Sequence, residues 1–206
     1  MKQSSIVEWK LRFLNFPYKL GRFLGLDFNG TILQEDLGTD KNRCNAYTPA
    51  NPAVKKVLKE LPISKNDSIL DVGCGKGKAI SYMLSFPFQK ADGLDISEKL
   101  IKVAEKNFSI LRKRHRVNLH ICDARNFNGF DNYNYIFFYN PFPRLVMEVV
   151  KEHILESLKR FPREMTVIYE NPVDRDLFES GEFMWKEYVY DICQQPIVVY
   201  QYILHG

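Results

Sequence analysis

The stretch that most constrains this chain is an apolar run that ends in an acid and opens into three alternate glycines. Residues 68–77 read SILDVGCGKG, and Pro62 and Asp67 separate this run from the segment before it. A short apolar run bounded by such residues is typical of a buried strand. After Gly77 the apolar side chains return at helical spacing. The pattern therefore predicts a strand, a glycine turn and a helix, in which the backbone can closely approach a ligand.

The glycine spacing and the preceding acid narrow the choice of ligand. Gly73, Gly75 and Gly77 depart from the dinucleotide template G-x-G-x-x-G at its third glycine. Asp71 would repel a pyrophosphate in a confined site, whereas it would attract an ammonium or a sulfonium. The loop resembles motif I of the class I S-adenosylmethionine-dependent methyltransferases, whose glycine backbone lies against the methionine part of the cofactor. Taken alone, the loop also fits a tight turn in another α/β protein.

Further acids follow two later strand-like runs. The run over residues 91–95 ends in Asp95, and the alternating run over residues 117–122 is followed by Asp123. In an open parallel sheet the carboxyl ends of the strands share one edge, and ligands bind there. With Asp71 included, we expect three acids at one edge of the sheet.

The second and third acids suit the two halves of an adenosine. The Asp95 carboxylate can accept hydrogen bonds from both hydroxyls of a ribose, and Ile96 is suited to lie on an adenine face. Alternatively, Asp95 and Ser97 begin the next helix as polar residues that cap its first turn. The resemblance implies that Asp123 accepts from the adenine amine, while the backbone amide of Ala124 reaches a ring nitrogen.

A fourth motif follows the most apolar run, residues 133–139. It reads Asn140-Pro141-Phe142-Pro143 and resembles motif IV, [Asp/Asn]-Pro-Pro-[Tyr/Phe], of methyltransferases that act on nitrogen. The Asn oxygen and the Pro-fixed carbonyl would hold an acceptor amine and aim its lone pair at the sulfonium methyl, so catalysis is mostly positioning. Phe142 and the tyrosine before Asn140 would form an aromatic wall. Phe142 replaces the second proline, and Pro143 replaces the aromatic residue, which disfavours nucleobase amines. A rigid turn that opens the next helix is the alternative.

The resemblance spans residues 52–204 and implies a set of site residues. The cofactor S-adenosyl-L-methionine, which leaves as S-adenosyl-L-homocysteine, would be bound by Asp71, Gly73, Cys74, Gly75, Gly77, Asp95, Ile96, Asp123, Ala124 and Asn140. The catalytic residues would be Asn140, Pro141 and Phe142. The sequence shows no cluster of metal ligands, and we expect no metal.

The order of the elements predicts an α/β fold. We expect a three-layer Rossmann-like sandwich whose seven-stranded sheet is mostly parallel with an antiparallel last strand. Residues 1–51 are predicted to form a helical and irregular N-terminal extension or lid, and residues 52–206 the methyltransferase domain. Within the extension, residues 5–24 have the apolar spacing of short amphipathic helices. In the domain, the apolar spacing predicts a helix over residues 98–114 with a basic end.

Composition places the chain among soluble globular proteins. The four cysteines are scattered without a C-x-x-C pair, which favours a reduced cytoplasmic protein. We expect no membrane span, because no apolar segment approaches the necessary length. The net charge of +4 leaves a nucleic-acid partner possible without requiring one.

The sequence leaves the methyl acceptor open. We expect transfer to an amine nitrogen of an unidentified small molecule, protein or RNA. The alternatives are an O- or C-methyltransferase of a small metabolite and a cofactor-binding protein without catalytic activity. A nicotinamide dehydrogenase is disfavoured by the glycine spacing.

Overall fold

The structure of the chain is a computed structural model. It describes residues 24–37, 40, 45–179, 181, 183–188 and 196–203. The helices predicted over residues 5–24 lie outside this part of the chain, apart from Leu24, which lies in a turn. The elements below belong to the described residues.

One sheet organises the described residues. Its strands are β1 (Ser68–Val72), β2 (Lys90–Asp95), β3 (Leu119–Ile121), β4 (Tyr135–Tyr139), β5 (Met165–Glu170), β6 (Phe183–Tyr188) and β7 (Ile197–Tyr202). The order across the sheet is β3-β2-β1-β4-β5-β7-β6. The first five strands run parallel, and β7 lies antiparallel between β5 and β6. This arrangement confirms the predicted Rossmann-like sheet with an antiparallel last strand.

Helices cover both faces of this sheet. The α-helices of the described residues are α1 (Val54–Glu60), α2 (Lys78–Met83), α3 (Glu98–Ile110), α4 (Arg144–Arg160) and α5 (Asp176–Glu179). Successive strand residues point to opposite faces, so Ile69 packs with α1, α2 and α3, whereas Leu70 packs with α4 and α5. The three-layer prediction is therefore confirmed. Within the described part of the chain, none of the helices has the length and apolar character needed to cross a bilayer.

The helix predicted over residues 98–114 is shorter than expected. Helix α3 ends at Ile110, and Arg112 adopts a left-handed conformation with φ 54°. The backbone amides of Arg112 and Lys113 donate to carbonyls of the last helical turn at 3.1 and 3.0 Å. This is a Schellman cap, which usually contains glycine at the left-handed position. Because an arginine occupies that position here, the apolar spacing alone extended the prediction too far.

The strand order places two chain segments side by side. The direction of strand succession reverses between β1 and β4, which are parallel neighbours near the centre of the sheet. In open α/β sheets such a switch point forms a crevice at the carboxyl ends of the strands. The glycine loop follows β1, and Asn140 follows β4. The fold therefore brings two of the predicted motifs to the same crevice.

Candidate active site

A cleft opens at the carboxyl edge of the sheet, beside the ends of β1 and β4. Its empty volume is about 470 Å³, and Gly73, Asp95 and Ile96 line the side next to β1 and β2. Pro141 and Phe142 line the side next to β4. Five of the predicted site residues thus share one cleft.

A smaller cavity of about 230 Å³ adjoins this cleft. Asp71 and Cys74 line it, and Gly73 and Tyr139 belong to the walls of both spaces. Tyr47 also borders both. The two spaces are therefore neighbouring compartments around the glycine loop.

Asp71 is a buried acid at the wall of the smaller cavity. Only 3% of its surface is exposed, and no described residue donates a hydrogen bond to its carboxylate. Burial, followed by the nearby carboxylates of Asp95 and Glu170, holds the pKa of Asp71 well above its usual range. A cationic group in the cavity would relieve this cost, because an opposite charge favours the ionised carboxylate. The residues therefore fit the ammonium and sulfonium of S-adenosylmethionine.

Asp95 links the glycine loop to the start of α3. Its two carboxylate oxygens accept the backbone amides of Gly75 at 2.9 Å and Ser97 at 2.8 Å. Burial raises the pKa of Asp95, and these two hydrogen bonds oppose the rise. Ser97 in turn caps α3 by accepting the amide of Leu100 at 3.4 Å. Asp95 thus lines the cleft and also contributes to the start of the helix, so both predicted roles are compatible.

Neighbouring side chains pack closely on the glycine loop. Gly73 has φ 84°, and a β-carbon there would lie 2.5 Å from Cβ of Pro141. Gly75 has φ 52°, and a β-carbon there would lie 2.3 Å from the Tyr47 ring. Gly77 lies against the ring of Phe108, away from both cavities. A side chain at Gly73 or Gly75 would therefore disturb the packing as well as the backbone conformation.

The third predicted acid is held outside both cavities. The Asp123 carboxylate forms an ion pair with Arg125 at 2.7 Å and accepts the backbone amide of Arg125 at 3.0 Å. Ala124 is buried and also lines neither cavity. An adenine amine would have to share the carboxylate with Arg125, so the role of Asp123 stays a prediction.

Asn45 fixes the segment after β4. Its backbone amide donates to the Pro141 carbonyl, and its side-chain amide donates to the Asn140 carbonyl, both at 2.9 Å. Asn140 has φ 36° and lies between the lining residues Tyr139 and Pro141 without lining the cavities itself. A carbonyl oxygen has two lone pairs, so each carbonyl can accept one further hydrogen bond.

Phe142 lies at the wall of the cleft but is largely buried. Only 5% of its surface is exposed, and it packs with Val72 and Val146 in the core. Its edge contributes to the cleft, but so small an exposed area cannot stack a flat ring. Phe142 and Tyr139 both line the cleft, and the aromatic wall expected from them stays a prediction.

Two site residues went unnoticed in the sequence. Asn45 lies in an irregular segment and carries no pattern that marks it. Glu170 ends the buried strand β5, the same signal that singled out Asp71. One of its oxygens accepts the amide of Asn51 at 2.9 Å, and the other has no hydrogen-bond partner among the residues that the structure describes.

Comparisons with known proteins agree with this geometry. The family model for a methyltransferase domain matches residues 69–163. A Drosophila melanogaster protein named histone-lysine N-methyltransferase, H3 lysine-79 specific, is 27% identical over 122 residues. This match covers 54% of the chain but only 6% of the length of that relative.

Solved structures share the fold at low sequence identity. An RNA methyltransferase from Salinibacter ruber, in complex with S-adenosyl-L-homocysteine, has a TM-score of 0.57 at 14% identity and covers 75% of this chain and 94% of that chain. A SAM-dependent O-methyltransferase from Thermotoga maritima has a TM-score of 0.59 at 15% identity, with 76% and 68% coverage.

Proposed function

On the premise that this chain contains a class I S-adenosylmethionine-dependent methyltransferase domain, we propose that it transfers a methyl group to an amine nitrogen. One observation carries the proposal. The segment predicted to hold the acceptor packs directly on the glycine loop: a β-carbon on Gly73 would lie only 2.5 Å from Cβ of Pro141. Donor and acceptor sites that adjoin in this way suit a direct transfer between bound molecules.

In this proposal the residues of the chain mainly bind the cofactor and the acceptor and orient them toward each other. S-Adenosylmethionine supplies a methyl group bonded to a positively charged sulfur. Asp71 would be the anionic partner of a cationic group bound in the smaller cavity, and Asp95 lines the main cleft as a hydrogen-bond acceptor. The Asn140 side chain and the Pro141 carbonyl accept hydrogen bonds from the acceptor amine. Asn45 holds both residues in place through its two hydrogen bonds.

Two observations favour an amine over a flat aromatic acceptor. The Drosophila relative is named for transfer to a lysine nitrogen, whereas the fold neighbours include enzymes named for RNA and for oxygen. The Phe142 ring itself is buried and offers little surface on which a nucleobase would stack. An alkyl amine such as a lysine side chain needs no such surface.

The N-terminal extension contributes to the same cleft. Tyr47 and Thr48 line it, and the Tyr47 hydroxyl donates to the Phe28 carbonyl at 2.8 Å within the extension. We therefore propose that residues 1–51 form a lid over the cofactor and shape the acceptor side.

Replacement of Asn140 separates binding from transfer. Asn140→Ala should leave S-adenosylhomocysteine affinity within about twofold and lower methyl transfer by about five- to tenfold, because one hydrogen bond to the acceptor contributes about 1–1.5 kcal/mol. Calorimetry measures the first quantity. Transfer from S-adenosylmethionine with a labelled methyl group, to lysine peptides, RNA and catechols, measures the second.

A second asparagine provides the matched control. Asn171 also precedes a proline and has a positive φ of 50°, so Asn171→Ala reports the stability cost of losing a left-handed asparagine. Unchanged transfer by Asn140→Ala would remove Asn140 from the site. If the catechols or the RNA become labelled and the lysine peptides do not, the other acceptor classes are favoured.

A further inference from the structure

One short segment of the N-terminal extension contacts both sides of the candidate active site. Residues 45–48 all line the cleft, and Tyr47 and Thr48 also line the smaller cavity. The Tyr47 ring packs on the glycine loop, where a β-carbon on Gly75 would lie 2.3 Å from it. Two residues earlier, Asn45 contacts the segment after β4 that is proposed to hold the acceptor. The same four residues therefore adjoin the cofactor side and the acceptor side.

Tyr47 fixes this segment to its surroundings. Its backbone pairs with Ile32 in an antiparallel bridge, with hydrogen bonds of 2.9 and 3.0 Å in the two directions. Its hydroxyl donates to the Phe28 carbonyl at 2.8 Å, and its buried ring packs in a cluster with Leu100. Packed side chains and hydrogen bonds of this kind can transmit a change at one site to another. A ligand that contacts residues 46–48 would therefore also restrict the position of Asn45.

The turn after β4 adopts a backbone conformation that needs support. Asn140 has φ 36°, and positive φ values are uncommon for residues other than glycine. Such a conformation persists only where the surrounding structure holds it. Asn45 donates its side-chain amide to the Asn140 carbonyl and its backbone amide to the Pro141 carbonyl, both at 2.9 Å. The conformation of the turn is therefore supported by a residue of the extension.

We propose that Asn45 is a positioning residue that couples the two sides, so that a cofactor bound against residues 46–48 stabilises the acceptor-binding conformation of Asn140. This coupling rests on the proposed function. A ligand shifts a conformational equilibrium only through contacts that differ between the two states, and residues 46–48 provide such contacts in the cleft. The consequence is an order of binding, because the acceptor binds more tightly once the cofactor is in place. By reciprocity, the acceptor strengthens cofactor binding by the same factor.

Amide hydrogen exchange of the full chain, followed by mass spectrometry, tests this coupling without an acceptor. Exchange is compared with and without saturating S-adenosylhomocysteine, so that differences between variants in the ligand-free rates cancel. In the wild type the ligand should slow exchange over residues 73–77 and also over residues 140–147. The slowing should be at least about fivefold, the lower end of typical couplings between two sites.

Asn45→Asp keeps the size and the backbone amide of Asn45, but its carboxylate cannot donate to the Asn140 carbonyl. This variant should keep the slowing over residues 73–77 and lose most of it over residues 140–147. Asn45→Gln retains a donor and should restore part of the effect. Asn45→Ala repeats the measurement without an added charge, and it replaces the aspartate variant if that variant does not fold.

Asn132 provides the matched control. Its side-chain amide also donates to a backbone carbonyl, that of Gly129 at 3.3 Å, and it lines neither cavity. Asn132→Asp makes the same chemical change away from the cleft. It should leave the slowing in both segments within about twofold of the wild type.

The outcomes separate this coupling from the function on which it rests. A folded wild type in which S-adenosylhomocysteine slows exchange in neither segment refutes the proposed function, and the coupling with it. Slowing over residues 73–77 without slowing over residues 140–147 refutes the coupling alone. The role of Asn45 is refuted if its folded variants keep the slowing over residues 140–147, or if Asn132→Asp loses it as well.

Discussion

Glu170 should make the stability of the protein fall as the pH rises. Its side chain is 0% exposed at the carboxyl end of β5; one oxygen accepts the Asn51 amide, and the other has no hydrogen-bond partner within the described part of the chain. Burial raises the pKa of Glu170 from 4.5 to about 8, although the hydrogen bond from Asn51 opposes the rise. After burial, the carboxylate of Glu170 contributes to the raised pKa of Asp71 and of Tyr82.

The direction of this pH dependence follows from whether the folded or the unfolded chain releases the Glu170 proton first. In the unfolded chain Glu170 ionises near its ordinary pKa, whereas the folded protein keeps the proton until the pH approaches about 8. Between these values the folded state binds more protons, so the free energy of unfolding decreases with pH. Below this window the contribution is fully present, and above it the loss is complete. Each pKa unit corresponds to about 1.4 kcal/mol of unfolding free energy. The rise from 4.5 to about 8 therefore limits the loss of stability to about 5 kcal/mol at most. Because the folded protein relaxes around the new charge, we expect a loss of about 2–5 kcal/mol.

Glu170→Gln removes the titration and keeps the shape of the protonated acid. Urea unfolding of both proteins without cofactor, from pH 5 to pH 9, should give free energies within about 1 kcal/mol of each other at pH 5. At pH 9 the variant should be more stable by about 2–5 kcal/mol. Glu164→Gln, an exposed glutamate just before the same strand, controls for the loss of one negative charge. If the difference in unfolding free energy between wild type and Glu170→Gln stays constant from pH 5 to pH 9, Glu170 does not titrate with a raised pKa in the folded protein.

Two further substitutions test the cleft. Asp95→Ala removes a cleft carboxylate that also accepts two backbone amides. The free energy of S-adenosylhomocysteine binding, measured by calorimetry, should weaken by about 1.5–3 kcal/mol. Unchanged affinity would exclude Asp95 from the cofactor site. Gly75→Ala places a β-carbon against the Tyr47 ring at a positive φ and should destabilise the protein by about 1–3 kcal/mol in urea unfolding. The same substitution in a Tyr47→Ala background should cost less, and an equal cost in both backgrounds would rule out the steric contact.

The sheet and the glycine loop were predictable because local pattern determines them. The apolar run, the acid and the alternate glycines mark the turn after β1 without reference to distant residues. Asp95 was predictable for the same reason, since it ends the next strand. Because parallel strands meet at one edge, two of the three acids reach the cavities. Asp123 does not, because Arg125, two residues away, engages its carboxylate.

The remaining features depend on contacts that spacing does not encode. Asn45 donates to the Asn140 carbonyl across 95 positions of the sequence, and no sequence pattern around either residue predicts this hydrogen bond. The Tyr47 ring lies over Gly75 because an irregular segment returns to the glycine loop. Burial of Phe142 likewise follows from how the segment after β4 turns into the core, which its motif position does not reveal.

Calorimetric titration with S-adenosylhomocysteine, with NAD as a parallel control, tests whether the cleft binds the product of S-adenosylmethionine. We expect micromolar binding of S-adenosylhomocysteine, which corresponds to about −8 kcal/mol, and no binding of NAD. Circular dichroism on the same sample establishes that the protein is folded. A folded protein that binds NAD instead, or neither ligand, would contradict the assignment of the cleft to S-adenosylmethionine.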